Sequence, residues 1–164
     1  MVLKKKRRPD KPPIVLGWRE WMGLPDLDIP AIKVKLDTGA RSSALHVTNI
    51  RSFKRRGVDW VRFRPVLDDG RARLRPAEAK VLDQRTVRDS GGKAHLRVVI
   101  STTVEVAGWT WPVDLTLASR GEMSFRMLLG RQAMSGRVLV DPLHSYLAGR
   151  RTAKRGRLER KESR

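Results

Sequence analysis

Residues 32 to 45 read Ile-Lys-Val-Lys-Leu-Asp-Thr-Gly-Ala-Arg-Ser-Ser-Ala-Leu. Ile32, Val34 and Leu36 alternate as on a half-buried strand, which then ends at Asp37, where a carboxylate can be presented to a cleft. Gly39 permits a tight turn with close backbone approach, Thr38 can brace the loop through its hydroxyl, and Ala40 leads out of it. A carboxylate so placed can take a proton from water. The bare Asp-Thr-Gly triplet is equally an ordinary turn, so its neighbours decide. On a regular strand Lys33 and Lys35 share the face of Asp37, and a lysine within reach favours the ionised carboxylate over one that shares a proton. Lys35 and Arg41 would ring such a cleft with positive charge and suit an acidic peptide, unless they pair with neighbouring acids or face solvent.

The elements that must hold this loop are short. Apolar or alternating runs recur at 14–16, 32–36, 58–66, 95–106, 109–117, 127–129 and 138–140, rich in Val, Ile, Thr and Trp. The clearest is a hairpin: Val98, Ile100, Thr102, Val104 and Val106 alternate up to Ala107-Gly108, and Trp109, Trp111, Val113, Leu115 and Leu117 alternate after it. Pro112 then belongs on an edge or at a bulge. Asp68-Asp69-Gly70 and Ser90-Gly91-Gly92 mark other turns. Only Arg131 to Ser135, stopped by Gly136, reads as a short helix. The fold class expected is all-β, a sandwich or a small closed barrel whose closure removes exposed edges.

The chain has 164 residues, 36 Lys plus Arg against 17 Asp plus Glu, and a formal net charge of +19. Residues 1–13 carry six basic and one acidic residue and 150–164 carry eight and two, which leaves 22 and 14 between them. We expect a disordered basic arm at 1–13, one folded domain at 14–149 and a basic tail at 150–164. Most of the charge thus belongs to the tails, which are candidates for ribosome or nucleic-acid contact. With no cysteine there is no disulfide, thiolate metal site or cysteine nucleophile. His46, His95 and His144 are too widely spaced for a helical metal motif, and no HExxH, Walker A or GxGxxG pattern occurs, so neither metal nor cofactor is expected. The apolar runs are too short to span a membrane, and the basic start leads into Pro9 and Asp10 rather than an apolar stretch. A cytoplasmic address is expected.

The Asp37 loop resembles that of retropepsin-like aspartic peptidases, a hydrophobic strand ending in Asp-Thr-Gly-Ala. Their later signature, two apolar residues, Gly, usually Arg and a short helix, is matched by Leu128-Leu129-Gly130-Arg131 and Gln132 to Ser135. Across residues 14–147 the chain more closely resembles a bacterial family labelled RimK-related or "ATP-dependent zinc protease". The shared order is Gly17-Trp18-Arg19-Glu20-Trp21, Leu24-Pro25, Lys35 to Arg41, Ser43-Ala44-Leu45-His46, Trp60-Val61-Arg62-Phe63, Leu128 to Arg131 and Val140-Asp141-Pro142. The resemblance implies a closed barrel of acid-protease type. Asp37, Thr38 and Gly39 would be catalytic, Lys35, Ala40 and Arg41 would meet substrate, and Leu129, Gly130 and Arg131 would support the loop, Arg131 through an ion pair. The ATP and zinc of the label find no loop or ligand set in this sequence.

Aspartic peptidases need two carboxylates, and this chain has one Asp-Thr-Gly. Either two chains pair through the active site, or Asp141, Asp83 or Glu20 serves, or no dyad exists. The reading preferred is hydrolysis of an acidic, glutamate-rich peptide or protein by Asp37. The alternatives are a basic barrel that binds RNA or the ribosome without catalysis, and a peptidase-like domain that only binds a ligand. The five tryptophans read as core or rim residues rather than a platform for stacking bases.

Overall fold

The structure, a computed structural model, describes residues 12–67, 75–88, 91–119 and 124–149. The tail at 150–164, the arm up to residue 11 and the turns expected at Asp68-Asp69-Gly70 and Ser90 lie outside these residues.

Strand β1 (Ile14–Gly17) is followed by β2 (Arg19–Leu24), a 3-10 turn (Pro25–Leu27), β3 (Ile29–Asp37), β4 (Ser43–Arg55) and β5 (Val58–Pro65). Then come β6 (Ala77–Arg88), β7 (Ala94–Val106), β8 (Trp109–Ala118), β9 (Met127–Gly130), the helix α1 (Arg131–Met134) and β10 (Val138–Asp141). The domain is all-β. Its main sheet has the order β2-β3-β9-β4-β5-β6-β7-β8, and pairings of β4 with β8 and of β2 with β7 return it on itself. Strands β1 and β10 form a separate parallel pair, Ile14 to Gly17 opposite Val138 to Asp141.

Period-2 alternation sets which side chains face inward. On β3, Ile32, Val34 and Leu36 are buried, which turns Lys33, Lys35 and Asp37 to the other face. On β7 and β8, Val98, Ile100, Val104, Val106, Trp111, Val113, Leu115 and Leu117 all enter the core. Each such side chain stabilises the fold by about 1.5–3 kcal/mol. Ala107 and Gly108 join these strands with φ of 51° and 77°, the twist a two-residue hairpin needs. Pro112 lies where β8 pairs with β7 alone, because β4 joins β8 only from Leu115 onward. Its missing N–H therefore breaks no bond to β4.

Strands β2, β4 and β6 carry no clean alternation in sequence. The outer half of β4, with Phe53 the one apolar residue among Arg51 to Arg55, is separated from the inner half by a bulge between Thr48 and Arg51, with Asn49 at φ 54°. On β2 an acid occupies an inward position: Glu20 is fully buried in the core-facing row with Met22.

Glu20 ties the end of the domain to β2. Its Oε1 accepts the Ala148 N–H at 2.8 Å, and its Oε2 is buried without a partner. Burial pushes this carboxyl above its ordinary range, against the pull of backbone hydrogen bonds from Ala148, Leu147 and Gly17. The folded protein therefore keeps the Glu20 proton where the unfolded chain has released it. The stability this group contributes is full below about pH 4.5, the ordinary value, and is lost as pH rises through the folded-state value. Glu20→Gln, neutral at every pH, is expected to melt above the wild type at mildly alkaline pH and to flatten this part of the profile. Thermal melts of both proteins across the acid-to-alkaline range check it.

Candidate active site

Asp37 ends β3 beside Gly130, its register partner at the end of the parallel strand β9, and Leu36 is likewise paired with the buried Leu129. Its carboxylate is held by the turn that follows. Oδ1 accepts the N–H of Gly39 at 2.9 Å and of Ala40 at 3.2 Å. A Cβ on Gly39 would stand 3.2 Å from that oxygen, so glycine gives the turn room to close on its acid. Lys35 reaches Oδ2 at 3.9 Å, with 44% and 29% of the two side chains exposed. At that exposure the pair is a weak, water-screened contact.

The loop is clamped from below by the start of α1. The Gly130 N–H donates to the buried Ser43 hydroxyl at 2.9 Å, Arg131 N–H to the Ala40 carbonyl at 2.8 Å and Gln132 N–H to the Arg41 carbonyl at 3.2 Å. The Arg131 guanidinium adds a bond to the Gly39 carbonyl at 3.2 Å. A Cβ on Gly130 would lie 2.5 Å from the Ser42 carbonyl oxygen and 2.9 Å from that of Arg41, so no other residue fits this approach. Arg131 thus braces the loop through carbonyls; among the described residues it makes no ion pair. Thr38 is exposed, and among the described residues its hydroxyl makes no hydrogen bond. The bracing expected of Thr38 is done by the Asp37 carboxylate and Ser43. Ser43 is the residue single-sequence reasoning gave no role; its signal was a hydroxyl at a buried position just past the loop. Arg41 is exposed, with no ion-pair partner among the described residues.

A family profile described as retropepsin-like aspartic endopeptidase RimB matches residues 15–151, which contain this whole arrangement. The chain belongs to the RimB-like family. Residues 15–151 span both halves of the clamp, the Asp37 turn and the Gly130-Arg131 corner. Relatives named probable alpha-L-glutamate ligase are similar as well. Those from Shewanella halifaxensis and Desulfotalea psychrophila are 44% and 42% identical over 137 and 130 residues, or 82% and 78% of this chain. The chain spans only 30% and 28% of their lengths. A crystal structure of a Legionella pneumophila protein of unknown function superposes with a TM-score of 0.68 at 24% identity, covering 82% of this chain and 97% of the other, which shows the shared fold.

The acids considered beside Asp37 are engaged elsewhere. Asp141 binds the His144 Nδ1 at 2.6 Å and the Leu143 N–H, and the His144 contact holds its carboxyl below the ordinary range. Asp83 pairs with Arg85 at 3.0 Å, and Glu20 holds Ala148. None of them hydrogen-bonds Asp37. The zinc of the family label finds no ligand set here: no group of three metal-binding side chains forms among the described residues. Of the tryptophans, Trp111 is buried and donates to the Ala133 carbonyl at 3.0 Å, while the other four are half-buried. No helix among the described residues is long and apolar enough to cross a membrane.

Ser43→Ala leaves the Gly130 N–H buried without an acceptor and is expected to cost about 1–3 kcal/mol in urea unfolding. Gly130→Ala, which drives a methyl into two carbonyl oxygens, is expected to cost more than Ser43→Ala in the same measurement.

Proposed function

We propose that the chain is an aspartic peptidase of the cytoplasm that hydrolyses peptide bonds in acidic, glutamate-rich segments, with Asp37 activating the attacking water. The observation that carries this reading is the fixed carboxylate: two backbone amides orient Oδ1, and Oδ2 is left at a partly exposed position where water can be held. As the water oxygen attacks the carbonyl carbon, its proton passes to an ionised carboxylate. A protonated carboxyl gives its proton to the amide nitrogen as the C–N bond breaks, leaving an acid and an amine. Two carboxylates that share one proton fill both roles, because like charges at close range resist joint ionisation.

We assign the second carboxyl to Asp37 of a second copy, paired about a two-fold axis. Support comes from the lack of any carboxylate hydrogen-bonded to Asp37 among the described residues. It also comes from Val15 and Leu139, register neighbours on β1 and β10 that are 55% and 56% exposed and offer an apolar face to cover. An acidic substrate is supported by Lys35 and Arg41 at the loop, and by the name of the longer relatives, which concerns glutamate.

Asp37→Asn is expected to abolish cleavage of a glutamate-rich peptide, and an excess of it is expected to suppress the wild type, since mixed pairs hold one carboxylate. Cleavage that persists in Asp37→Asn removes the peptidase reading. Specific activity that stays constant on dilution, with a monomeric mass in sedimentation, removes the paired site. Arg41→Gln should raise KM several-fold for a glutamate-rich peptide and less for a neutral one, which steady-state kinetics on the two peptides compares.

A further inference from the structure

The outer half of the sheet carries a second cationic surface that the Asp37 site does not use. Beyond the β4 bulge, Arg51, Phe53 and Arg55 point to solvent, and their register partners Arg62, Trp60 and Val58 on β5 share that face. Glu78 and Lys80 on β6 continue it, opposite Arg62 and Trp60. The reverse face of the same strands supplies Val61, Phe63 and Ala79 to the core, so the outward row is anchored on a rigid base. Arg51 stands about 25 Å of extended strand from Ser43, well removed from the Asp37 loop.

Among the described residues of this face, four cations, Arg51, Arg55, Arg62 and Lys80, stand beside one carboxylate, Glu78. Glu78 is gripped by Arg55 at 2.8 Å and by Arg62 at 2.7 Å and 3.0 Å, and the two guanidiniums hold its carboxyl below the ordinary range. The surface therefore already binds one glutamate side chain in forked geometry. Arg51 has no ion-pair partner among the described residues. The aromatic faces are covered by the same cations, with Arg55 at 4.7 Å and Lys80 at 5.9 Å over Trp60, and Arg55 at 5.3 Å and Arg62 at 5.7 Å over Phe53. A nucleic-acid base would have to displace these cations to stack, whereas carboxylates can approach them as they stand. Beside the row, a cavity of about 470 Å³ is lined by Asp26, Leu27, Trp60, Lys80, Leu82 and Thr102. Thr102 forms part of its floor, its hydroxyl closed off from solvent and without a partner.

We propose that the outward face of β4, β5 and β6 is a docking surface for an acidic polypeptide, whose carboxylates take Arg51, Arg55, Arg62 and Lys80 while an adjoining side chain enters the cavity at Thr102. The inference rests on the acidic-substrate reading above and gives that substrate a second point of attachment. Glu78 then acts as an internal competitor for the two arginines it holds.

The test measures binding, not cleavage, in the full chain carrying Asp37→Asn, with a fluorescent oligoglutamate peptide as probe and an oligouridylate of equal charge as the other arm. In this background Glu78→Gln is expected to bind oligoglutamate about threefold tighter, and Arg51→Glu with Lys80→Glu about tenfold weaker, by anisotropy at physiological ionic strength. Arg51 and Lys80 are exposed and Glu78 is half-buried, and melting curves verify the fold of each variant. A purely structural role for Glu78 predicts no tightening, and that result overturns the proposal. So does unchanged affinity in the double reversal, or oligouridylate bound more tightly than oligoglutamate with loss on Trp60→Ala. These results leave the peptidase reading untouched, since that reading stands or falls with cleavage by the Asp37 variants.

Discussion

The architecture around Asp37 depends on how closely two stretches of main chain, about 90 residues apart in sequence, approach one another. The loop after β3 lies against the corner between β9 and α1 with no space for a side chain at Gly130. That contact lets the Ser43 hydroxyl, the Arg131 and Gln132 amides and the Arg131 guanidinium engage the loop together. An acid at a strand end would otherwise sample many orientations in water. Here the turn amides point inward at one carboxylate oxygen, and the clamp stops the turn from opening, so the orientation is set before any substrate arrives.

A second set of tertiary contacts fastens the ends of the domain behind this site. Strand β1 pairs with β10, the Trp18 N–H donates to the His144 carbonyl, and the Leu36 N–H on β3 donates to the Trp18 carbonyl at 2.8 Å. The Arg19 guanidinium lies between the rings of Trp18 and Tyr146, at 4.6 Å and 5.1 Å from their centroids, and its Nε donates to Ser145. Glu20, next along β2, buries its carboxyl under the same segment. The chain's last described turn is thus tied to the strand beside β3, and the order of the Asp37 loop is inherited from both ends of the domain.

The charge is distributed with equal specificity. Among the described residues, Lys35, Arg41 and Arg131 outnumber the acid at Asp37, and the distant face of β4, β5 and β6 repeats that excess around Glu78. Lys35 and the cations of β4, β5 and β6 stand on strands whose reverse side is core, which fixes their places, while Arg41 and Arg131 belong to the loop and the start of α1. Of the formal +19, +11 falls in the stretches 1–13 and 150–164, and the site and the sheet face carry only part of the remaining +8.

The strand that ends in Asp37, the hairpin at Ala107-Gly108 and the all-β class were legible in the residues alone, because each is a local pattern. Alternation selects the buried face, and a glycine or a short polar turn ends the strand. The Gly130-Arg131 corner was legible only through resemblance, since nothing in Leu-Leu-Gly-Arg says what it touches. Strands β2, β4 and β6 were hidden for a related reason. Glu20 breaks the alternation of β2, and the outer half of β4 owes its order to β5 rather than to its own apolar residues. Whether an acid is a base, a cap or a buried tether depends on which distant atoms surround it. Asp37, Asp141 and Glu20 are similar carboxylates in the sequence, and the fold separates them by giving one two turn amides, one a histidine and one the interior.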